Sequence, residues 1–266
     1  MKKPLVVIKL GGSVITDKNK SRGVFRKAVV RRLAQEIVEA RKKKDFDLIL
    51  VHGAGAYAHY LTKKYRISEG FLGDKSAWGY AHIKNELFKL NNLVWTEALK
   101  AGLAVCTIQP SAVVFTDDQT IKSFDTRLLD SLLRMGITPL FLGEDSIDKS
   151  RGIAILSGDS IISYLGRKYK ADKIIFVSDV DGVYDKNPKV NKDAKLIKEV
   201  NNKNFRKVIE SMEKFNKNDT SGEMKGKLLA IKATLPGTNV KIIGGFEKNS
   251  LRDVLLGGMW GTRINL

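Results

Sequence analysis

Short apolar runs alternate with amphipathic stretches along most of the chain. Residues 4–8 and 47–51 are apolar runs that predict buried strands, and residues 24–43 between them carry apolar side chains at helical spacing. Further strands are predicted at 103–108, 137–142, 173–177 and 240–243. Helices are predicted after the loop at 52–59 to about residue 64, and at 75–100, 124–134, 158–170, 205–215 and 223–235, with Ser157 as an N-cap and a polar loop at 216–222. A β-hairpin is predicted at 143–155. This order of strands and helices predicts a parallel sheet with helices on both faces.

The composition is that of a globular protein with a sizeable core. The 266 residues are 43% hydrophobic and 29% charged. The longest apolar runs are too short to span a bilayer, and the N-terminus lacks a signal-peptide pattern, so we expect a cytoplasmic protein without a membrane partner. Cys106 is the single cysteine, which excludes an internal disulfide and a thiolate cluster.

The formal net charge of +18 raises the question of a nucleic-acid partner. The local excess of basic residues at 20–44 alternates with apolar residues at helical spacing, as in the solvated face of an outer helix. No helix-turn-helix, zinc finger or aromatic RNA-binding strand accompanies the charge. We therefore expect no nucleic-acid partner and a general attraction for anionic substrates.

The first loop, residues 9–18, has the composition of a phosphate-binding loop. Lys9 ends the first predicted strand, Gly11, Gly12 and Ser13 follow, and Lys18 comes nine positions after Lys9. Glycines let backbone N–H groups approach an anion closely, and lysines supply point charge. Three more strand-end loops are rich in glycine or charge, at 52–59, 157–160 and 178–185, and ligands of parallel sheets bind at this edge.

Two common nucleotide motifs do not account for these loops. Residues 53–58 fit the dinucleotide pattern G-x-G-x-x-G/A, but no acidic residue ends a second strand about 20 positions later. No G-x-x-x-x-G-K-[ST] run exists, which excludes a P-loop enzyme.

Taken in order, the loops resemble those of the amino acid kinase superfamily. The matching segments are residues 9–13, 52–59, 179–184 and 222–227. Within the superfamily, Lys18, His59 and the segments 108–111 and 157–159 resemble the isopentenyl phosphate kinases. The resemblance covers essentially the whole chain.

This resemblance implies a fold, a reaction and partners. The fold is a single αβα three-layer sandwich with a mostly parallel central sheet, in one domain at 1–266. Its acceptor-binding lobe is expected at 1–170 and its ATP-binding lobe at 171–266. The implied reaction is ATP-dependent phosphorylation of isopentenyl phosphate, a small isoprenoid monophosphate, to the diphosphate, with Mg²⁺ and in a homodimer.

The resemblance also implies site residues. The catalytic set is Lys9, Lys18, His59, Asp159 and Lys227. The ATP-binding set is Lys9, Gly11, Gly12, Ser13, Asp179, Tyr184, Gly222, Lys225 and Lys227. The acceptor-binding set is Ala54, Gly55, His59 and Gly158, and no residue is assigned as a metal ligand.

The chemistry of phosphoryl transfer gives these residue types their roles. Transfer needs neutralised charge and in-line positioning, which lysines and backbone N–H groups supply. Lys227, or else Lys225, is expected to approach the phosphates from the second lobe, and Asp159 to hold the lysines. A phosphate monoester is largely ionised near neutral pH and needs no enzyme base. His59 is expected to donate a hydrogen bond to the acceptor phosphate.

Several points stay open at the level of sequence. Eight of the 21 aromatic residues lie between Tyr57 and Trp95, where an apolar acceptor tail needs a pocket, and the sequence does not show which of them line it. Ala54, Ala58, Ser160 and Glu223 depart from the superfamily pattern. The alternatives are a fosfomycin-type or uridylate kinase, and, outside enzymes, a kinase-like sensor or a nucleic-acid-binding protein.

Overall fold

The computed structural model describes residues 3–17, 23–215 and 222–266. Within these ranges the chain forms sixteen strands, numbered in order. They are β1 Leu5–Leu10, β2 Thr16–Asp17, β3 Val24–Phe25, β4 Asp47–His52, β5 Val105–Thr107, β6 Val114–Asp117, β7 Thr120–Phe124, β8 Thr138–Leu142, β9 Glu144–Asp148, β10 Gly152–Leu156, β11 Lys173–Ser178, β12 Val183–Tyr184, β13 Leu196–Ile197, β14 Glu199–Asn201, β15 Val240–Gly244 and β16 Thr262–Asn265.

The same ranges contain ten α-helices and a 3₁₀ turn at Ile67–Glu69. The helices are α1 Gly12–Ile15, α2 Lys27–Lys43, α3 Ala56–Lys64, α4 Asp74–Lys100, α5 Pro110–Val113, α6 Arg127–Arg134, α7 Gly158–Lys168, α8 Phe205–Phe215, α9 Gly222–Thr234 and α10 Ser250–Leu256.

Eight strands form the central sheet, in the order β14-β16-β15-β11-β1-β4-β8-β5. Neighbouring strands from β15 to β5 run parallel, whereas β16 is antiparallel to β15 and carries β14 parallel to itself. A second sheet of four strands, in the order β10-β9-β6-β7, stands beside it. The mostly parallel sheet is therefore confirmed.

Helices cover both faces of the central sheet, which makes a three-layer αβα sandwich. One core packs α2, α4 and α10 against strand residues such as Ile8 and Leu50. The other packs α6, α7, α8 and α9 against the opposite side chains, such as Val7 and Phe141. All six residues of β1 are buried, which explains why its sequence is an unbroken apolar run rather than an alternating one.

The structure corrects the predicted order of elements at three places. The helix predicted at 124–134 begins at Arg127, because Phe124 ends β7. The hairpin of β6 and β7 was not predicted, and neither was α10. The predicted hairpin at 143–155 is confirmed as β9 and β10, and the polar loop predicted at 216–222 falls almost wholly outside the described residues.

None of the helices in the described part of the chain combines the length and hydropathy that a bilayer span requires.

Candidate active site

Three neighbouring strands end level at one edge of the central sheet. Lys9, near the end of β1, pairs with Val51 of β4 and with Phe176 of β11. The loops that follow these strands therefore open on the same edge, where ligands of parallel sheets bind. Two of them are the first loop and the glycine loop 53–55, and a third begins at Asp179.

At this edge two lysines share one carboxylate. Lys9 Nζ lies 2.6 Å from Asp159 Oδ1, and Lys227 Nζ lies 2.9 Å from Oδ2 and 3.0 Å from Oδ1. The side chains of Lys9 and Lys227 are 10% and 9% exposed, and that of Asp159 is 26% exposed. Lys227 Nζ also lies 4.9 Å from the centre of the Phe176 ring, a cation–π distance. The structure thus brings together three of the predicted site residues from β1, α7 and α9.

The charge of this cluster is fixed near neutral pH. Burial favours the neutral form of Asp159, but the two ammonium groups outweigh it and hold the pKa of Asp159 well below its ordinary value. Two lysines and one ionised carboxylate carry a formal charge of +1. Because its pKa is low, Asp159 is ionised at this pH, with no proton to give and little basicity, which agrees with the expectation that it holds the lysines. The excess positive charge favours an anion.

Asp159 lies in the first turn of α7, whose N-terminus is capped by Ser157. Ser157 accepts a hydrogen bond from the N–H of Ser160 at 3.0 Å, as its N-cap prediction requires. The absence of a side chain at Gly158 leaves room for the Lys9 side chain, because a Cβ at this position would lie 3.1 Å from Lys9 Cε. The free N–H groups that begin a helix, together with its dipole, favour an anion at this point.

The two glycine loops are in direct contact. A Cβ on Gly12 would lie 2.5 Å from Gly55 N, and one on Gly53 would lie 2.6 Å from Gly12 N. Gly55 has a φ of +55°, which side chains disfavour. The N–H of Gly11 donates to the carbonyl of Val177 at 2.8 Å, so this group is engaged within the sheet edge. The N–H groups of Gly12 and Ser13 begin α1, where helical N–H groups lack intrahelical acceptors.

Thr16 joins the two loops, and sequence reasoning missed it. Its hydroxyl donates to Gly12 O at 2.7 Å and accepts from Ala56 N at 2.9 Å, and the side chain is 1% exposed. A threonine one turn after a glycine could have signalled this, because threonine hydroxyls bond to the carbonyl four residues before them. Lys18, two positions later, lies outside the described residues.

Three of the four expected acceptor residues lie on the second loop and α3, and the fourth, Gly158, begins α7. Gly55 is the N-cap of α3, and His59 is an exposed residue in the first part of that helix. Ala54 and Ala58 pack into a third core cluster, which we call the acceptor cluster. Its members are Ala54, Ala58, Leu61, Tyr65, Ile67, Tyr80, Ile83, Leu87, Leu142 and Ile153. An apolar wall therefore lies directly behind the loop expected to bind the acceptor phosphate.

The eight aromatic residues between Tyr57 and Trp95 fall into three groups by their location. Tyr65 and Tyr80 belong to the acceptor cluster. Tyr57 and Trp95 pack in the core on the α2 side of the sheet instead. The exposed ones are Tyr60, Phe71, Trp78 and Phe88. Two of the eight therefore lie in the acceptor cluster.

The other histidines have structural partners. His52 is fully buried, with Nδ1 3.0 Å from Gly53 O and Nε2 3.1 Å from Asn91 Oδ1, and burial lowers its pKa. It thus orients the glycine loop as a neutral ring. His82 Nδ1 lies 3.1 Å from the Tyr65 hydroxyl.

The expected nucleotide residues of the C-terminal half lie after β11, in β12 and in α9. Asp179 follows β11 and pairs with Lys189 at 2.5 Å, and Tyr184 OH lies 3.4 Å from Asp181 Oδ2. Gly222 begins α9, and Lys225 is half-buried in its first turn. Lys227, two positions later in α9, bonds Asp159.

A cavity of about 500 Å³ borders Asp159 and Lys227 between α7 and α9. The tip of the β6–β7 hairpin, at Gln119 and Thr120, forms part of its wall. Asp148 fixes that tip, because its carboxylate accepts from Gln119 N at 2.8 Å and from Asp118 N at 3.1 Å. The lysine–aspartate cluster therefore borders a cavity, and one wall of this cavity is the hairpin tip that Asp148 holds in place.

Comparisons with known proteins agree with this geometry. A profile described as "Amino acid kinase family" matches residues 4–243. The isopentenyl phosphate kinase of Methanocaldococcus jannaschii is 32% identical over 98% of this chain and 98% of its own. That of Methanothermobacter thermautotrophicus is 31% identical with the same coverage. A solved structure described as "X-ray structures of isopentenyl phosphate kinase" superposes with a TM-score of 0.84 at 29% identity, covering 98% of this chain and all of that one.

Proposed function

The chain belongs to the amino acid kinase family, in the group of the isopentenyl phosphate kinases, and we propose that it transfers the γ-phosphoryl group of ATP to isopentenyl phosphate. A phosphate oxygen of the acceptor forms the new P–O bond, the bond between the β,γ-bridging oxygen and the γ-phosphorus breaks, and ADP leaves. The products are isopentenyl diphosphate and ADP. The observation that carries the proposal is the Lys9–Asp159–Lys227 cluster at the strand ends.

The cluster supplies positive charge to the phosphate groups that react. Donor and acceptor are both anions, so their approach is opposed until positive groups lie between them. Lys9 and Lys227 are held 2.6 and 2.9 Å from the same carboxylate, which keeps two ammonium groups together despite their repulsion. Because the cluster is already assembled, little reorganisation is needed when the phosphates arrive. Lys18 is expected to add a third ammonium group.

The acceptor binds, in this proposal, at the second glycine loop. The N–H groups of Ala54, Gly55 and Gly158 bind its phosphate, and His59 donates a further hydrogen bond. The apolar tail lies against the acceptor cluster. Support comes from the contact between the two glycine loops, because an acceptor phosphate bound at the second loop would then lie beside Gly12 and Ser13.

ATP binds, in this proposal, between the first loop and the C-terminal half of the chain. Gly12 and Ser13 N–H groups and Lys227 hold its β- and γ-phosphates, with Asp179, Tyr184 and Lys225 toward the nucleoside. Mg²⁺ bound to ATP would supply positive charge that neutralises the phosphates. In the described residues no group of three or more His, Cys, Asp or Glu side chains is placed to hold a metal, so we propose that Mg²⁺ enters with ATP.

This assignment divides the chain into an acceptor lobe at 1–170 and a nucleotide lobe at 171–266. We further propose a homodimer. Phe88 and Leu99 are 44% and 52% exposed on α4 and lie eleven residues apart, which is about three helical turns, so they share one face. Sedimentation of the purified chain measures the state, and a monomer at micromolar concentration would remove this part of the proposal.

An acceptor panel tests the reaction. ADP release is coupled to a spectrophotometric assay with isopentenyl phosphate, dimethylallyl phosphate, fosfomycin and UMP offered separately. We expect the largest kcat/KM with one of the two isoprenoid phosphates. Preference for fosfomycin or UMP would assign the chain to the corresponding kinase activity instead, and ATP-independent, salt-sensitive binding of DNA or RNA without turnover would favour a non-enzyme.

A further inference from the structure

The cavity between α7 and α9 extends well beyond the lysine–aspartate cluster. Asp159 and Lys227 border it at the first turn of α7, and Arg167 borders it eight residues further along the same helix. A helix rises about 1.5 Å per residue, which places Arg167 about 12 Å from Asp159 along the helix axis. We call the part of the cavity lined by Ser163, Tyr164 and Arg167 the outer pocket.

In the outer pocket, Ser163 carries a hydroxyl group that no protein group uses. The residue is 5% exposed and lines the cavity. Within the ranges that the structure describes, its Oγ has no hydrogen-bond partner, and this atom is not sealed inside protein, so a ligand group can reach it. Thr234, across the cavity on α9, instead donates its hydroxyl to the carbonyl of Ala230 at 2.6 Å. Native proteins pair nearly all buried polar groups, and one reason for an exception is a bound ligand.

Arg167 adds a positive charge without a counter-ion. It lies four residues after Ser163 and therefore on the same face of α7. The residue is exposed, and in the described part of the chain no carboxylate pairs with its guanidinium group. Of the described residues that line the cavity, only Asp159 carries a carboxylate, and Lys9 and Lys227 neutralise it. The outer pocket therefore favours an anion.

Two walls of the outer pocket are fixed by contacts within the protein. The ring of Tyr164 stacks on that of Phe124, with 5.3 Å between the ring centres and an angle of 22° between the planes. The tip of the β6–β7 hairpin, at Gln119, forms the second wall. The neighbouring acid in this tip, Asp118, is paired with Arg151 at 3.4 Å. The pocket is thus formed before a ligand arrives.

These groups match a phosphate attached to a hydroxylated body. A guanidinium group binds a phosphate through two parallel N–H donors, and the hydroxyl groups of Ser163 and Tyr164 can donate to the remaining oxygens. Toward the lysine–aspartate cluster the lining is neutral and polar, with Ser160, Gln119 and Thr120. Such side chains exchange hydrogen bonds with hydroxyl groups. The volume of about 500 Å³ is that of a small-molecule site.

We propose that the outer pocket is a second phosphate-binding site, which takes a phosphorylated sugar or polyol. The phosphate of this ligand lies on Arg167, Ser163 and Tyr164, and its hydroxyl groups contact Ser160 and the hairpin tip. The site goes beyond the proposed function, because none of its three phosphate contacts belongs to the groups that bind ATP or the acceptor.

Calorimetric titration with ribose 5-phosphate and with glycerol 3-phosphate tests the site. The non-hydrolysable ATP analogue and the acceptor that the panel identifies are present at saturating concentrations. We expect one molecule of at least one probe to bind per chain, and neutral ribose to bind at least about tenfold more weakly, because it lacks the group that the guanidinium holds.

Two results with the wild type would overturn the inference. One is that neither probe binds, and the other is that binding disappears once the ATP and acceptor sites are filled, since the probe would then have occupied the active site. Neither result bears on the proposed function, which the acceptor panel tests separately.

Variants identify the residues responsible. Arg167→Gln and Ser163→Ala should each weaken binding of the phosphorylated probe about tenfold, as when a hydrogen bond to a charged group is lost, and should leave kcat/KM for the acceptor unchanged. Lys232→Gln is the matched control. Lys232 is an exposed cation on α9 whose Nζ lies 4.1 Å from the centre of the Phe205 ring, outside the cavity. Unchanged binding in Arg167→Gln, or equal weakening in Arg167→Gln and Lys232→Gln, would overturn the inference.

Discussion

The ammonium group of Lys9 lies 2.6 Å from the carboxylate of Asp159, although 150 residues separate them in sequence. Lys9 is fixed by β1 at the centre of the sheet, and Asp159 by the first turn of α7, which Ser157 caps. Lys227 reaches the same carboxylate from α9. The contact therefore ties a strand and two helices into one charged site.

Replacing Asp159 by Asn should disable the site without unfolding the protein. A neutral amide cannot hold two ammonium groups against their mutual repulsion, so we expect kcat to fall by roughly 10²-fold, as when a preorganised charge-stabilising group is lost. Steady-state kinetics measures this, with a thermal melt to show that the fold persists. Asp253→Asn, which changes a carboxylate on α10, is the control and should stay near the wild-type rate. Wild-type kcat in Asp159→Asn would contradict the positioning role.

His59→Ala should reduce acceptor phosphorylation severely and leave ATP binding nearly unchanged. Loss of one donor to the acceptor phosphate is expected to lower kcat/KM for the acceptor by roughly 10²-fold. Kinetics with varied acceptor and calorimetric titration with ATP separate the two effects. His82→Ala, which removes the ring beside Tyr65, is the matched control, and equal losses in both variants would remove the role assigned to His59.

Thr16→Val should loosen the junction of the two glycine loops. The substitution keeps the shape but leaves Gly12 O and Ala56 N without the hydroxyl that joins them, at a cost of about 1–3 kcal/mol in the free energy of unfolding. We expect KM to rise for both substrates, because each is proposed to bind one of these loops. Thr16→Ser keeps the hydroxyl and should behave like the wild type in denaturation and in kinetics. If the valine variant matched the serine variant, the bridge would be unimportant.

Gly12→Ala should force the loops apart. Its Cβ would meet Gly55 N at 2.5 Å, and overpacking of this kind costs about 1–3 kcal/mol. Gly226→Ala is the contrast, since a Cβ there meets nothing within 4 Å and alanine favours a helix by up to about 1 kcal/mol. Denaturant unfolding of both variants should give opposite signs, and equal stability of the two would contradict the close approach.

The stability of the protein should carry a pH dependence that belongs to Asp145. Burial raises its pKa from the ordinary 3.8 to about 7, with the nearby Lys84 opposing and Glu144 adding to the effect. Between about pH 4 and 7 the folded protein keeps a proton that the unfolded chain has released, so this group's contribution to stability falls as pH rises and levels off above 7.

The total fall is of the order of 4 kcal/mol, from about 1.4 kcal/mol for each unit of pKa. Asp145→Asn cannot ionise and should lose this component. Urea unfolding of both proteins from pH 4.5 to 7.5 should therefore show the variant gaining stability relative to the wild type as pH rises, whereas parallel profiles would place Asp145 in contact with water.

The sequence predicted the parts of the fold in which local pattern and tertiary position agree. Unbroken apolar runs marked the doubly covered strands such as β1, and Ser157 marked the start of α7. The hairpin of β6 and β7 was missed because its turn, Asp118–Gln119, has positive φ without glycine or asparagine. That turn is held by the carboxylate of Asp148, some 30 residues away, which no local pattern records.

In the candidate site, too, the features that follow from local sequence were predicted and those that depend on distant contacts were not. The strand-end loops and their glycines were visible as a series, and the structure brings Lys9, Asp159 and Lys227 together. The bridge made by Thr16 and the buried group of Lys84, Glu144 and Asp145 were not visible, because each depends on contacts between distant elements. The residue types in the strand-end loops therefore predict phosphate binding, whereas the contacts between distant side chains become visible only in the folded structure.

The most direct test of the proposed reaction follows the phosphoryl group itself. Purified protein is incubated with γ-³²P-labelled ATP and isopentenyl phosphate, and the products are separated by chromatography. We expect label in isopentenyl diphosphate, dependent on both the acceptor and Asp159. Label found only in inorganic phosphate, or transferred to UMP in preference when both acceptors compete, would contradict it.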